Sequence, residues 1–222
     1  MSVTPGATDW FQWHTPYDDP TSLLAQRLRA IQRLIAVTLD RCPPGPVRAI
    51  SICAGQARDL LGVLPHHPRR GDVRARLVEL DPRNAEVARS KARAEGLHGV
   101  HVVTADGSLT TSYEGMVPAD LVLLCGVFGH ASAEDIHHIV RRLPELCAAG
   151  GTVVWTRGGF HPGLRPVIRR WFAEEAFEEM AFETAGEKGW GVGAHRFAGV
   201  PRPFERGVKL FTFLDHAPGL PA

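Results

Sequence analysis

The stretch Ile50-Ser-Ile-Cys-Ala-Gly-Gln-Ala-Arg-Asp-Leu-Leu61 decides the architecture. The apolar run Arg48–Cys53 reads as a short buried strand, Ala54, Gly55 and Ala57 as a tight turn, and Arg58–Leu64 as a helix. That order puts small residues at the carboxyl end of a parallel strand, where α/β sheets hold nucleotide-like ligands close to the backbone. The dinucleotide pattern GxGxxG wants three glycines there, and only Gly55 is present, so dinucleotide binding is a weak reading.

Working outward, the apolar runs Arg76–Leu80, Val100–Thr104, Leu121–Cys125 and Thr152–Thr156 alternate with helix-forming segments Asn84–Glu95 and Glu134–Leu146. Strands separated by helices of this length indicate parallel βαβ units and a sheet covered on both faces. Upstream, Thr21-Ser22 caps a helix in which Leu23, Leu24, Leu28, Ile31, Leu34, Ile35 and Leu39 recur at three- and four-residue steps, ended by Cys42-Pro-Pro-Gly-Pro46. Downstream, Leu164–Phe177 reads as a helix, Glu179–Glu183 as a strand and Val208–Leu214 as a better one. Between them, residues 184–207 read as a long connection of functional character, carrying Trp190, His195, Arg196 and Phe197. Residues 1–20 are loop-like yet carry Trp10, Phe11, Trp13, His14 and Tyr17; so many rings bury too much area to be left in water.

A chain of 222 residues, 44% hydrophobic and 22% charged, is one globular domain with enough core to need no covalent staple. The expected division is 1–46 as aromatic segment and cap helix, 47–157 as ligand-binding core, and 158–222 as C-terminal helix, loop and last strands. Lys+Arg of 25 against Asp+Glu of 24 gives a net charge of +1, without the positive footprint of a nucleic-acid binder. No apolar run spans a bilayer, and the N-terminus lacks the features of a secretory signal. Cys42, Cys53, Cys125 and Cys147 are widely spaced, which suits free thiols in a reducing cytoplasm. Adjacent His137-His138 diverge on a helix and His66-His67 lie in a Pro-flanked loop, so no metal is expected.

The segment Arg76-Leu-Val-Glu-Leu-Asp-Pro82 is a strand ending in acid, with Glu79 24 residues beyond Gly55. A carboxylate at the tip of the second strand can accept hydrogen bonds from both hydroxyls of a ribose. Asp81-Pro82 suits a helix cap and first turn.

With these motifs in register, residues 47–157 resemble the class I S-adenosylmethionine-dependent methyltransferases. Ile50–Leu61 looks like that family's glycine-rich first motif and Glu79 like its ribose acid. Thr104-Ala-Asp-Gly-Ser108 looks like its motif after strand three, and Asp120–His130 like its fourth motif. Ala148–Val154 resembles its turn into strand five. The resemblance implies a Rossmann-like, doubly wound, seven-stranded α/β sheet, mostly parallel with an antiparallel last strand supplied by Val208–Leu214, under an N-terminal helical cap. It implies S-adenosylmethionine as cofactor, held by Cys53, Ala54, Gly55, Asp59, Glu79, Leu80, Asp106, Gly107, Ser108, Cys125 and Gly126, with Asp106 on the adenine amine. The chain departs from the family at Ser51, where an acid is usual, and at Cys53 and Ala57, where glycines are usual. Asp59 and Arg58 could compensate for Ser51, or serve only in the first turn of the helix.

The implied activity is methyl transfer to oxygen or nitrogen of a small, partly apolar molecule, without nucleic-acid or membrane partners and with a homodimer left open. The cofactor carries the electrophile, so the protein's part is alignment and, if needed, a base. His130, His14 and Tyr17 are the candidates; a helix-entry role for His130 and lid packing for the other two remain open. His161 and His195 are weaker candidates, and Arg157 could bind a substrate anion. Alternatives are a non-catalytic S-adenosylmethionine-binding protein, an RNA or protein methyltransferase, and an aminopropyl transferase on the same scaffold.

Overall fold

The computed structural model describes residues 8–159 and 163–214. Seven strands form one sheet: β1 (Val47–Ile52), β2 (Val73–Glu79), β3 (Val100–Thr104), β4 (Ala119–Leu124), β5 (Cys147–Arg157), β6 (Phe177–Thr184) and β7 (Gly191–Phe197). Their order is β3-β2-β1-β4-β5-β7-β6, with a reversal between β1 and β4. The first five run parallel to their neighbours, and β7 runs antiparallel to both β5 and β6. The sheet is therefore the doubly wound, mostly parallel one expected, with its last strand reversed.

Alternation along each strand shows why both faces need cover. Ile50 and Ile52, Val122 and Leu124, and Val153 and Trp155 enter one apolar cluster. Ala49, Leu121 and Leu123, and Val154 enter the other. Helices α4 (Ala133–Leu146) and α5 (Leu164–Glu174) supply the first cluster through Ile136, Ile139, Leu143, Ile168 and Phe172. Helices α1 (Leu23–Arg41), α2 (Leu60–Val63) and α3 (Pro82–Ala94) supply the second through Ile31, Ile35, Leu60, Ala88 and Ala92. The caps follow the sequence: the Ser22 side chain accepts from the Ala25 amide, Asp81 from Arg83 and Ser132 from Asp135.

Three boundaries differ from expectation. Val208–Leu214 is not the reversed strand; that place beside β5 belongs to Gly191–Phe197, inside the stretch expected to be a connecting loop. Its glycines, which read as loop, make room for a ring: a Cβ on Gly193 would fall 2.5 Å from Trp155 Cε2. Val208–Leu214 instead runs as an extended strap, bridging Leu109 through Lys209 and donating from Leu210 N to Ser108 O and from Leu214 N to His130 O. Helix α5 stops at Glu174 because Ala176 turns left-handed, at φ 60°, before β6. The helix expected over Arg58–Leu64 is the four-residue α2 followed by a 3-10 turn, Leu64–His66.

Candidate active site

The site begins at the turn that opens the sequence reading. Cys53, Gly55 and Ala57 all have left-handed backbones, with φ of 54°, 55° and 52°. Only glycine adopts that region freely, so Cys53 and Ala57 carry strain at the two positions where the resemblance wanted glycines. The parallel register pairs Ile52 with Val78, which brings Glu79 alongside the turn. Glu79 Oε2 accepts from Gly55 N at 2.7 Å, and Oε1 accepts from Asp81 N at 2.8 Å. Burial pushes its carboxyl up from the usual range, against the pull of these amides.

Glu79 stands on the wall of a cavity of about 640 Å³ at the carboxyl ends of the strands, within the size range of small-ligand sites. Cys53, Ala54, Gly55 and Asp59 line it from the first turn, Glu79 and Leu80 from the second, and Cys125, Gly126 and His130 from the turn after β4. Asp59 caps α2, accepting from Leu60 N at 2.7 Å, and burial raises its carboxyl. Asp106, Gly107 and Ser108 are not brought to this wall. Gly107 lies behind Cys53, where a Cβ would be 3.0 Å from Cys53 N and Sγ, and Asp106 Oδ1 accepts from Ser108 N at 2.8 Å. Ser51, 2% exposed, is inside the sheet.

The aromatic N-terminus forms the roof. A 3-10 turn, Gln12–Asp18, sets Trp13, His14 and Tyr17 over the cavity, joined by Trp10. No residue of that turn is buried, and it is tied to the body by polar contacts as well as by the Trp13 ring against His130. Arg83 Nη2 donates to Asp9 Oδ1 at 2.8 Å, Arg58 Nη1 to Asp18 Oδ1 at 2.7 Å and Arg27 Nη2 to the Tyr17 hydroxyl at 2.8 Å. His14 Nδ1 lies 2.7 Å from Trp10 O; a carbonyl only accepts, so Nδ1 carries the proton and Nε2 keeps its lone pair. A Cβ on Gly55 would fall 2.3 Å from that Nε2, so the His14 ring closes directly on the glycine.

His130 sits among rings: Trp10 at 4.8 Å edge-on, Phe213 at 5.9 Å and Trp13 at 6.1 Å between centroids. Burial, with the charges of Arg27 and Arg157, lowers its pKa to about 4, so the ring is neutral near pH 7. Its Nδ1 is buried without a hydrogen-bond partner among the described residues. Sequence reasoning missed Phe213, because Val208–Leu214 read as a strand; only the strap geometry brings it to the cavity. Asn84, which donates from Nδ2 to Trp10 O at 3.3 Å, was also missed.

The remaining candidates lie elsewhere. His195 belongs to the core of β7, accepting from Trp155 Nε1 at 3.1 Å and stacked 4.4 Å from Phe172. Arg157 donates to Phe128 O, and His161 falls outside the described residues. His137 stacks on Trp171 at 4.6 Å, and His67 Nε2 lies 3.3 Å from Asp40. Among the described residues no group of three His, Cys, Asp or Glu side chains is arranged to hold a metal ion, and no helix is long and apolar enough to cross a membrane.

No protein-family model matches the chain, and no curated protein matches it. Solved structures do. Magnesium protoporphyrin IX methyltransferase (ChlM) from Synechocystis PCC 6803 with bound SAM superimposes with a TM-score of 0.65 at 11% identity, over 86% of this chain and 92% of that one. An O-methyltransferase family protein from Burkholderia thailandensis gives 0.62 at 17% identity, over 82% and 58%. A possible exported protein from Bordetella parapertussis gives 0.61 at 15% identity, over 78% and 68%. The chain thus spans under two thirds of the Burkholderia protein and most of the Synechocystis one. At these identities the likeness is one of fold: the chain has the class I methyltransferase fold.

Proposed function

We propose that the chain is an S-adenosylmethionine-dependent methyltransferase acting on oxygen or nitrogen of a small, partly apolar molecule. The observation that carries the reading is Glu79, a buried carboxylate bonded to the Gly55 amide on the wall of a ring-roofed cavity. The residues present fit the cofactor. Arg83 is paired with Asp9 and Asp81, and Arg58 with Asp18, which leaves Glu79 and Asp59 as acids without an ion pair among the described residues lining the cavity. A net negative wall suits a cationic ligand.

When bound, the cofactor supplies a methyl group on a sulfonium, already electrophilic. Glu79 would hold the ribose hydroxyls, since each of its oxygens keeps a lone pair beyond its amide. Asp106, Gly107 and Ser108 do not line the cavity, so the adenine would rest on the residues of its wall instead. The acceptor would enter among Trp10, Trp13 and Phe213, which exclude water and align a flat or apolar molecule. The His130 ring would take the acceptor's proton: a base with a pKa near 4 is weak but wholly unprotonated at neutral pH. His14 and Tyr17 close the roof above it. The four free cysteines support a reducing compartment such as the cytoplasm.

A thermal-shift comparison of S-adenosylhomocysteine with NAD, NADP and ATP tests the cofactor; stabilisation by the first alone is expected, and by another alone would overturn the reading. The second reading, a non-catalytic binder, is favoured by the buried serine at Ser51. It predicts the same shift but no methylated product by mass spectrometry across acceptor candidates.

A further inference from the structure

Tyr17, on the cavity lining, carries a positive charge behind its hydroxyl. The Tyr17 oxygen accepts from Arg27 Nη2 at 2.8 Å and donates to nothing among the described residues, so its hydrogen is left for a ligand. Arg27, from α1, is 5% exposed, has no ion pair among the described residues and has a buried Nε that meets no acceptor. A second guanidinium, Arg58, also lines the cavity and lies 5.6 Å over the Tyr17 ring; its ion pair reaches outward to Asp18, whose side chain is 67% exposed. The acids of the lining are engaged elsewhere: Asp9 and Asp81 pair with Arg83, Glu79 takes the Gly55 and Asp81 amides, and Asp59 takes the Leu60 amide. A buried guanidinium without a counter-charge is costly, and an anionic ligand group at the Tyr17 hydroxyl offsets that cost.

We propose that the methyl acceptor is a small aromatic acid whose carboxylate docks on the Tyr17 hydroxyl, with Arg27 as the positioning residue behind it. This acceptor class rests on the methyl-transfer reading above and narrows it. Trp13 joins the two ends of the site. Its ring has Tyr17 at 6.0 Å and His130 at 6.1 Å between centroids, both edge-on, and the Arg27 guanidinium at 5.9 Å. A flat molecule resting against Trp13 with its acid at Tyr17 therefore directs its far edge toward His130, where Trp10 and Phe213 complete the apolar wall. A neutral or cationic acceptor of the same shape would leave Arg27 without a counter-charge.

Calorimetry on the chain loaded with S-adenosylhomocysteine tests this, with para-hydroxybenzoate, para-hydroxycinnamate and indoleacetate each set against its carboxamide, and with tyramine as a cation. The wild-type chain should bind at least one acid about tenfold or more tighter than its amide, the scale of one charge-assisted hydrogen bond. Tyr17→Phe, which keeps the ring and loses the hydroxyl, should erase most of that preference, whereas a merely structural role would weaken acid and amide alike. Arg27→Gln should do the same and Arg27→Lys restore part of it; should neither fold, Tyr17→Phe decides. No acid bound above its amide, tyramine bound above every acid, or an intact preference in Tyr17→Phe would overturn the acceptor class alone. Failure of the wild type to bind S-adenosylhomocysteine would overturn the methyl-transfer reading and the acceptor class with it.

Discussion

Gly55 donates from its amide to Oε2 of Glu79 at 2.7 Å, a bond that locks the first two strand-end turns into one wall. The bond crosses 24 residues of sequence and makes a single carboxylate a structural brace on the cavity wall.

Glu79→Ala removes the brace and, on the proposed function, the group that holds the ribose. We expect S-adenosylhomocysteine binding to weaken by ~1–3 kcal/mol, the scale of one or two lost hydrogen bonds, with the Gly55 and Asp81 amides left unpaired. Calorimetry beside a thermal melt separates the two losses. An unchanged affinity would contradict the ribose role.

His130→Ala should slow methyl transfer by about 10²–10⁴, the usual contribution of a positioned base, while leaving cofactor affinity within about twofold. Because burial holds the wild-type ring near pKa 4, the rate should be flat around neutrality and fall only as pH approaches 4. A wild-type rate in the variant would remove His130 from the reaction.

Removing residues 1–18 strips a roof that contributes no buried side chain from its 3-10 turn and is tied to the body largely through Arg27, Arg58 and Arg83. The melting temperature should barely move. The dissociation rate of S-adenosylhomocysteine, read by stopped-flow, should rise by about tenfold or more, because Trp13 and His14 no longer cover the cavity. Unaltered dissociation and turnover would make the segment an ordinary tail.

Ala57→Gly is expected to be neutral or stabilising by up to ~1 kcal/mol, against the usual loss for this exchange, since φ 52° strains alanine but not glycine. Chemical denaturation measures it. Loss of 1 kcal/mol or more would mean that the strain is absorbed elsewhere.

His195, 1% exposed, is held near pKa 4 from an ordinary 6.5, chiefly by burial. Its folded-state pKa is the lower one, so the unfolded chain binds the proton first. Stability is fully present above pH 6.5 and drains away between 6.5 and 4, by up to ~3 kcal/mol. His195→Gln should flatten that slope in urea titrations, at a cost in absolute stability from lost stacking on Phe172. A slope equal to wild type would assign the acid sensitivity to other groups.

The parts of the molecule legible in one dimension are those governed by local periodicity. Apolar alternation in Ile50–Ile52 and Leu121–Leu124 found the central strands, and the small residues at 54, 55 and 57 found the turn. Glu79 and Asp59 were legible for the same reason: each lies within a few residues of a strand end whose position the pattern marks. Gly191–Phe197 misled because its glycines answer to Trp155, a contact from β5 that sequence spacing does not encode. Val208–Leu214 has a strand's composition, but the edge it would have joined was already taken, so its amides pair with the turns after β3 and β4.

By itself, then, the order of residues determined a parallel sheet, the edge that carries the cavity and the acids at that edge, because hydrophobic period and turn chemistry act over neighbours. Tertiary structure alone decided that Phe213 and Trp10 meet over His130 and that Gly107 stands behind Cys53. Those relations join residues tens to hundreds of positions apart, and only the packing of helices, strap and roof on the finished sheet brings them together.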